Sequence, residues 1–213
     1  MLRSPPSVVE EICHWHDKYG VKDFAFYDDA LLVDVHTHAI PILEGIVQAG
    51  VTVCFHTPNA IHIREITRRT ARLMYKAGFR TLRLGLETAA FETREALDRK
   101  VTDEEFKQAV SRLKEAGFQK DQVGAYLLTG LPGQELHTLE NSIKTVKQCG
   151  ITPILAHYSP IPQTALWKQA VASSRYKLES DPVFTNNAIS PCQDKTFSWE
   201  TLTYLKNLVS AHP

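Results

Sequence analysis

Polar and ionisable residues in this chain recur directly after short apolar runs, where a strand would end. Carboxylates, imidazoles and a glycine-rich turn at such positions are the groups that bind and orient a polar cofactor or substrate. Solvated loops and helix caps would also place polar residues there, but their recurrence after five runs favours a site. The five segments are Asp28-Asp29, His56-Thr57-Pro58-Asn59, Glu87-Thr88, Thr129-Gly130-Leu131-Pro132-Gly133 and His157-Tyr158-Ser159.

The elements that position these segments form a repeated unit. Each of five glycines closes an amphipathic stretch and is followed within a few residues by a short apolar run. Strands that alternate with helices at this spacing predict parallel strands joined by right-handed crossovers, so that all carboxyl ends of the strands lie at one edge. The glycines are Gly20, Gly50, Gly78, Gly117 and Gly150.

Capping boxes and helical periodicity predict the individual elements. Ser7 with Glu10, and Thr102 with Glu105, predict the starts of the first and fourth helices. The predicted strands are 24–27, 51–55, 81–87 and 153–157. The remaining predicted helices cover about 41–48, a stretch from about 61, a stretch around 139–146 and a last one from about 199.

Alternation along the third of these strands predicts where its side chains point. The leucines of Thr81-Leu-Arg-Leu-Gly-Leu-Glu87 share one face, which belongs under the helices, whereas Arg83 and Glu87 share the opposite face. A carboxylate on an inward face is costly to desolvate without a partner, so Glu87 is a strong candidate for a site residue and Arg83 for its ion-pair partner. By the same rule Phe55 packs under the helices and His56 points inward.

A second hypothesis comes from Asp34-Val-His36-Thr-His38. This spacing is typical of metal-dependent amidohydrolases, in which two imidazoles share one face of a strand end. A hydrolase would use His36 and His38, with His56 and His157 as further ligands. A third hypothesis is a non-catalytic binding module.

Composition limits these alternatives. The 213 residues carry 24 basic and 24 acidic side chains, so no net charge attracts nucleic acid or an anionic membrane. The four cysteines show no two-residue spacing and are expected as thiols in a reducing cytoplasm, and no apolar run is long enough to span a bilayer.

We predict an α/β partial (β/α) barrel over residues 1–160 and a C-terminal helical extension packed on it over residues 161–213.

Taken in order, seven short stretches resemble the radical S-adenosylmethionine (SAM) superfamily, within it the group that shares the core of methylthiotransferases and cobalamin-dependent radical enzymes. The resemblance covers nearly the whole chain. The stretches are 3–12 (RSPPSVVEEI), 24–32 (FAFYDDALL), 55–59 (FHTPN), 82–88 (LRLGLET), 126–134 (YLLTGLPGQ), 158–164 (YSPIPQT) and 186–187 (NN).

The resemblance implies a barrel that binds a 4Fe-4S cluster and SAM at the strand carboxyl ends, cleaves SAM reductively and abstracts hydrogen from a substrate. It places Asp28 and Asp29 at the methionine end of SAM, Glu87 against its polar groups and the turn 130–133 along its adenine. Gln163 replaces a glycine that the family usually has. The predicted SAM-binding residues are Asp28, Asp29, His56, Asn59, Glu87, Thr88, Gly130, Pro132 and Gly133.

The cluster ligands are the main departure from the family. The family holds its cluster with Cys-x-x-x-Cys-x-x-Cys after the first strand, and Cys13, Cys54, Cys149 and Cys192 do not have this spacing. The resemblance therefore implies strands two to six of the barrel, with an upstream segment that carries the cluster. The chain alone is expected to be inactive, and its substrate is unassigned.

Overall fold

The structure, a computed structural model, describes residues 3–28, 31–90, 101–192 and 197–211. Five strands form a single sheet in the order β1-β2-β3-β4-β5, and the β1–β2 and β2–β3 pairs are parallel. Strand order therefore follows chain order, as in a partial (β/α) barrel, and the predicted fold class is confirmed. The strands are β1 (Asp23–Ala25), β2 (Cys54–His56), β3 (Phe79–Glu87), β4 (Val123–Thr129) and β5 (Thr152–His157).

Helices connect successive strands and continue after β5. None of the helices in the described part of the chain is long and apolar enough to cross a membrane. The helices are α1 (Pro5–Tyr19), α2 (Ala39–Ala49), α3 (Arg68–Ala77), α4 (Asp103–Ala116), α5 (Leu136–Gln148), α6 (Trp167–Ser173) and α7 (Trp199–Ser210).

The helix starts confirm one predicted capping box and correct the other. At α4 the Thr102 side chain accepts from the Glu105 amide while the Glu105 carboxylate accepts from the Thr102 amide, as predicted. The Ser7–Glu10 box is wrong, because Ser4 precedes the first helical residue and Pro5 occupies the first turn, where its fixed φ and missing N–H are tolerated. Ser7 lies inside α1.

The first two strands differ from their predicted bounds because pairing decides where a strand begins and ends. The Cys54 amide donates to the Lys22 carbonyl at 2.7 Å, so β2 begins at Cys54, three residues after its predicted start. At the other end of the pair, the Phe26 amide donates to the His56 carbonyl at 2.9 Å, one residue beyond β1. Asp28 therefore lies three residues after β1 rather than at its end.

Burial along β3 confirms the predicted alternation. Leu82, Leu84 and Leu86 are fully buried, whereas Arg83, Gly85 and Glu87 are half-buried on the opposite face. The same division holds in β2, where Phe55 is fully buried and His56 is half-buried. The sheet thus has one face packed into the core and one face that carries the polar candidate residues.

The chain forms two compact units. The first comprises Met1–Leu86, Asp98–Ala125 and Cys149–Thr152, and the second comprises Glu87–Leu97, Tyr126–Gln148 and Pro153–Pro213. In the second unit, Ala170, Leu178 and Cys192 form a small buried cluster against which Tyr158 and Trp167 pack. The predicted division into residues 1–160 and 161–213 stays a prediction.

Candidate functional site

In the first unit, the end of β2 carries an imidazole held on both sides. His56 Nδ1 lies 2.8 Å from the Thr81 hydroxyl of β3, and its Nε2 lies 3.4 Å from an Asp23 carboxylate oxygen of β1. If Asp23 accepts from Nε2–H, then Nδ1 accepts from the Thr81 hydroxyl, which fixes the tautomer. Protein groups thus engage both ring nitrogens, so His56 orients its neighbours more readily than it ligates a metal.

The segments that follow β1 and β2 approach one another through a side-chain amide. Asn59 Nδ2 donates to the Tyr27 carbonyl at 3.1 Å, which ties the loop after β2 to the residue before Asp28. Asp28 itself lines a cavity of about 490 Å³ beside β1. Asp29 lies outside the described residues, so its predicted role stays untested.

In the second unit, the end of β3 adopts an unusual backbone conformation. Glu87 is half-buried and has φ of 64°, a left-handed conformation that non-glycine residues seldom adopt. Such strained positions cluster at binding and catalytic sites. The next residues are anchored, because the Thr88 hydroxyl accepts from the Ala90 amide at 3.1 Å and lies 3.4 Å from the hydroxyl of Ser142 on α5.

The end of β4 is a glycine turn closed by one side chain. Gly130 and Gly133 have φ of 83° and 70°, and a Cβ built on either would meet no atom within 4 Å. The glycines therefore serve the backbone conformation and leave open space for a ligand to approach the main chain. Gln134 closes the turn: its Oε1 accepts from the Gly130 amide at 2.8 Å, and its Nε2 donates to the Leu128 carbonyl at 2.8 Å.

The end of β5 places two titratable side chains in partly buried positions. Burial, with a smaller effect from the Lys206 ammonium, lowers the pKa of His157 below its ordinary value, so the neutral imidazole is favoured. Burial, with a smaller effect from Cys192, raises the pKa of Tyr158. The Tyr158 hydroxyl is buried and has no hydrogen-bond partner among the described residues.

Each unit therefore brings some of the predicted residues together. Asp28, His56 and Asn59 belong to the first unit, where backbone and side-chain bonds join β1, β2 and β3. The second unit holds the predicted residues at and after the ends of β3 and β4, and they are Glu87, Thr88, Gly130, Pro132 and Gly133. Each described member is the last residue of a strand or lies within a few residues after one.

Two contributors were missed from the sequence, Gln134 and Ser142. Gln134 belongs to the stretch 126–134, but it closes the turn through a hydrogen bond from its side-chain amide to the Leu128 carbonyl, which the sequence does not reveal. Ser142 had a signal that could have found it: it lies at position i+3 from Leu139 on the apolar face of α5, where a polar residue needs a partner.

The histidines of the hydrolase hypothesis lie in different environments. Residues 31–38 form turns rather than a strand, His36 is exposed, and His38 is buried with its Nε2 3.0 Å from the Arg3 carbonyl. They are therefore not two imidazoles on one face of a strand end, which was the basis of that hypothesis.

The residues of this chain do not fit a 4Fe-4S cluster. The cysteines form no disulfide with one another, and they are dispersed over α1, β2, the residue after α5 and the C-terminal region. Among the described residues, no three His, Cys, Asp or Glu side chains are grouped so that they could hold a metal ion. The turns after β3 and β4, by contrast, have open space beside the main chain of Gly130 and Gly133 and a half-buried carboxylate at Glu87.

An α/β sheet of this strand order defines a partial (β/α) barrel, and comparison with known proteins specifies the family. The model of the radical SAM superfamily matches residues 2–146, and the chain belongs to that superfamily. It is 26% identical over 205 residues to an uncharacterised methyltransferase of Pyrococcus horikoshii, covering 89% of this chain and 43% of that protein. The chain thus spans less than half of this relative's length.

Solved structures show the same fold at low sequence identity. TsrM, a radical SAM methyltransferase of Kitasatospora setae solved with cobalamin and a 4Fe-4S cluster bound, has a TM-score of 0.66 at 18% identity, over 82% of this chain and 33% of TsrM. Archaeal Elp3 of Methanocaldococcus infernus has a TM-score of 0.51 at 14% identity, over 78% of this chain and 44% of Elp3. The identities are too low for these structures to indicate more than the fold.

Proposed function

We propose that this chain is the downstream part of the core of a radical SAM enzyme, whose whole protein uses a 4Fe-4S cluster to cleave SAM reductively and abstract hydrogen from a substrate. Within that protein the strand ends of this chain contribute to SAM binding, and the chain alone binds SAM weakly or not at all and is inactive. The observation that carries the proposal is the glycine turn 130–133, which presents its main chain to open space in a chain of this family.

In this proposal different strand ends contact different parts of SAM. The turn 130–133 lies along the adenine, because the missing side chains of Gly130 and Gly133 let a flat ring approach the backbone. Glu87 and Thr88 accept hydrogen bonds from the polar groups of SAM. Asn59 and His56 hold the segments at the ends of β1 and β2 through the bonds described above. Bound SAM supplies the transferable groups.

The cluster, in this proposal, is held by cysteines of an upstream segment that pairs with β1. Alternation along β1 directs the Phe26 amide and the Lys22 carbonyl toward β2, and therefore directs the amides of Asp23 and Ala25 away from it. No described residue pairs with this outer edge. An unpaired edge is a template for a further strand.

The surface beside that edge supports the same proposal. The cavity of about 490 Å³ is bounded by α1, β1 and α2, and the side chain of Tyr27 at its rim is 75% exposed. An added strand would cover the aromatic side chains that line this cavity. Soluble proteins rarely leave large contiguous apolar patches exposed to solvent. Polar residues also line the cavity. They include Arg3, which is paired with Glu11, and Asp28 and His38.

Substitution at the edge tests the upstream strand. Ala25→Pro removes the outward N–H, whereas Ala25→Ser keeps it at the same position. In the full reading frame that contains this chain, we expect Ala25→Pro to lower iron content after anaerobic reconstitution and Ala25→Ser to leave it unchanged. Equal iron content in both variants and in the parent protein would refute pairing at this edge.

Binding of SAM tests the site itself. In the same full-length protein, Glu87→Gln is expected to raise the dissociation constant for SAM about ten- to a hundredfold, the cost of losing a charged acceptor. Glu115→Gln is the control, because Glu115 pairs with Arg68 on the surface of α4. Unchanged affinity in Glu87→Gln, measured by equilibrium dialysis, would contradict the proposed role of Glu87.

A second candidate reaction is methyl transfer, because the Pyrococcus horikoshii relative is named a methyltransferase. The products formed from SAM distinguish the outcomes. Methyl transfer yields S-adenosylhomocysteine, whereas hydrogen abstraction yields 5′-deoxyadenosine. Release of 5′-deoxyadenosine with no S-adenosylhomocysteine would contradict methyl transfer while leaving the proposed SAM site intact.

A further inference from the structure

Ser142 is a polar side chain buried in the apolar face of α5. It is 1% exposed, and its helical neighbours Leu139, Ile143 and Val146 are fully or almost fully buried. A buried hydroxyl is costly unless it is hydrogen-bonded, so its bonds indicate what the residue is for.

Its bonds lead to the turn after β3. Ser142 Oγ donates to the Thr138 carbonyl at 2.9 Å, as helical serines often do, and accepts from the Ala89 amide at 3.0 Å. It also lies 3.4 Å from the Thr88 hydroxyl, which in turn accepts from the Ala90 amide. The Ser142 hydroxyl on α5 thus contacts Thr88 and Ala89 of the turn directly, and the Thr88 hydroxyl in turn holds Ala90.

The anchored turn begins directly after Glu87. Glu87 has the left-handed φ of 64°, a conformation that a residue with a Cβ keeps only when the surrounding structure enforces it. The bonds from Ser142 to Thr88 and Ala89 supply such a constraint one and two residues away, and all of these residues belong to the second unit.

We propose that Ser142 is a positioning residue that sets the direction of the Glu87 carboxylate toward SAM without touching SAM itself. The proposal rests on the proposed function of Glu87. It assigns a role in cofactor binding to a residue of α5 that lies outside all of the strand-end segments.

Removal of the hydroxyl tests this role. Ser142→Ala has nearly the same volume, and we expect it to raise the dissociation constant for SAM about two- to tenfold in the full-length protein, the range for losing one neutral hydrogen bond. Ser111→Ala is the control, because the Ser111 hydroxyl donates to Glu115 on the exposed surface of α4. Unchanged affinity in Ser142→Ala would overturn the proposal.

A double variant separates positioning from a general loss of stability. If Ser142 acts through Glu87, then Ser142→Ala adds little to the effect of Glu87→Gln on SAM affinity. Additive effects of the two substitutions would overturn the proposal.

If the protein binds no SAM, the proposed function is refuted. Hydrogen exchange at the backbone amides then tests separately whether Ser142 holds the turn. We expect faster hydrogen exchange at the Ala89 amide in Ser142→Ala than in the parent protein. Unchanged exchange at this amide would overturn the role of Ser142 independently of SAM.

Discussion

The edge of β1 and the turns after β3 and β4 contrast in how they are held. β1 has three residues, an outer edge with which no described residue pairs, and a cavity of about 490 Å³ beside it. β3 and β4 have nine and seven residues, and the turns that follow them are fixed by Ser142 and Gln134. The turns after β3 and β4 are therefore held by side chains of α5 and of the turn itself, whereas β1 has only β2 as a partner strand among the described residues.

One sheet thus combines two strand-end turns that side chains hold in place with an edge strand, β1, that has a single partner strand among the described residues. Strand-end turns fixed by side chains lose little entropy when a cofactor binds, which favours affinity. A strand that is paired on one side only leaves the backbone donors of its other side available to a partner strand. The following predictions test each side of this contrast.

The largest expected effect is on the aromatic cluster that holds β1. Phe55 is fully buried, and its ring centroid lies 5.8 Å, 5.4 Å and 5.2 Å from those of Phe24, Phe26 and Phe79. Phe55→Ala should lower the free energy of unfolding by about 3–5 kcal/mol in urea denaturation. Tyr27→Ala, at an exposed position, should change it by less than about 0.5 kcal/mol. Similar losses in both variants would show that the cluster does not hold this edge.

Proline substitutions compare the edge with the interior of the sheet. Ala125 is fully buried in β4, between two strands, so Ala125→Pro removes a ladder bond and should cost about 3 kcal/mol or more. Ala25→Pro removes only the outward amide of β1 and should cost less than about 1 kcal/mol in the isolated chain. A large loss from Ala25→Pro would mean that the outer edge is already paired.

The glycine turn should be weakened by loss of its side-chain closure. Gln134→Ala leaves the amide of Gly130 and the carbonyl of Leu128 without their partner, at a cost of about 2 kcal/mol. Gln108→Ala is the control, because the Gln108 amide contacts Glu104 on an exposed helix face. The midpoint of chemical denaturation measures both, and equal midpoints would contradict a closed turn.

The smallest effect concerns pH. Because burial lowers the pKa of His157 in the folded state, the unfolded chain binds a proton first as the pH falls. Its contribution to stability is present above its ordinary value of 6.5 and is lost as the pH falls through the lowered pKa. The melting temperature should therefore fall more steeply toward acid pH in the parent protein than in His157→Gln. Identical slopes in the two proteins would contradict the effect.

Local sequence signals predicted the elements better than their boundaries. The Thr102–Glu105 box and the alternation along β3 depend on residues close in sequence, and both were found. The start of β2 depends on pairing between Cys54 and Lys22, which periodicity does not contain. The Ser7–Glu10 box failed because Pro5 starts α1 earlier.

The positions of the candidate residues in the fold could be predicted, whereas their role in SAM binding stays a prediction. The strand-end residues were visible as polar positions after apolar runs, and Gln163, placed where the family has glycine, does adopt a positive φ of 67°. The anchoring by Ser142 was not visible, because it joins residues more than fifty positions apart. The left-handed φ of Glu87 was not visible either, because no glycine marks that position.

Anaerobic reconstitution of residues 1–213 with iron and sulfide tests the central claim most directly. Iron per chain and the formation of 5′-deoxyadenosine from SAM are measured after desalting. We predict neither a stoichiometric cluster nor SAM cleavage, because the four cysteines are dispersed over the fold. About four irons per chain together with SAM cleavage would contradict the account.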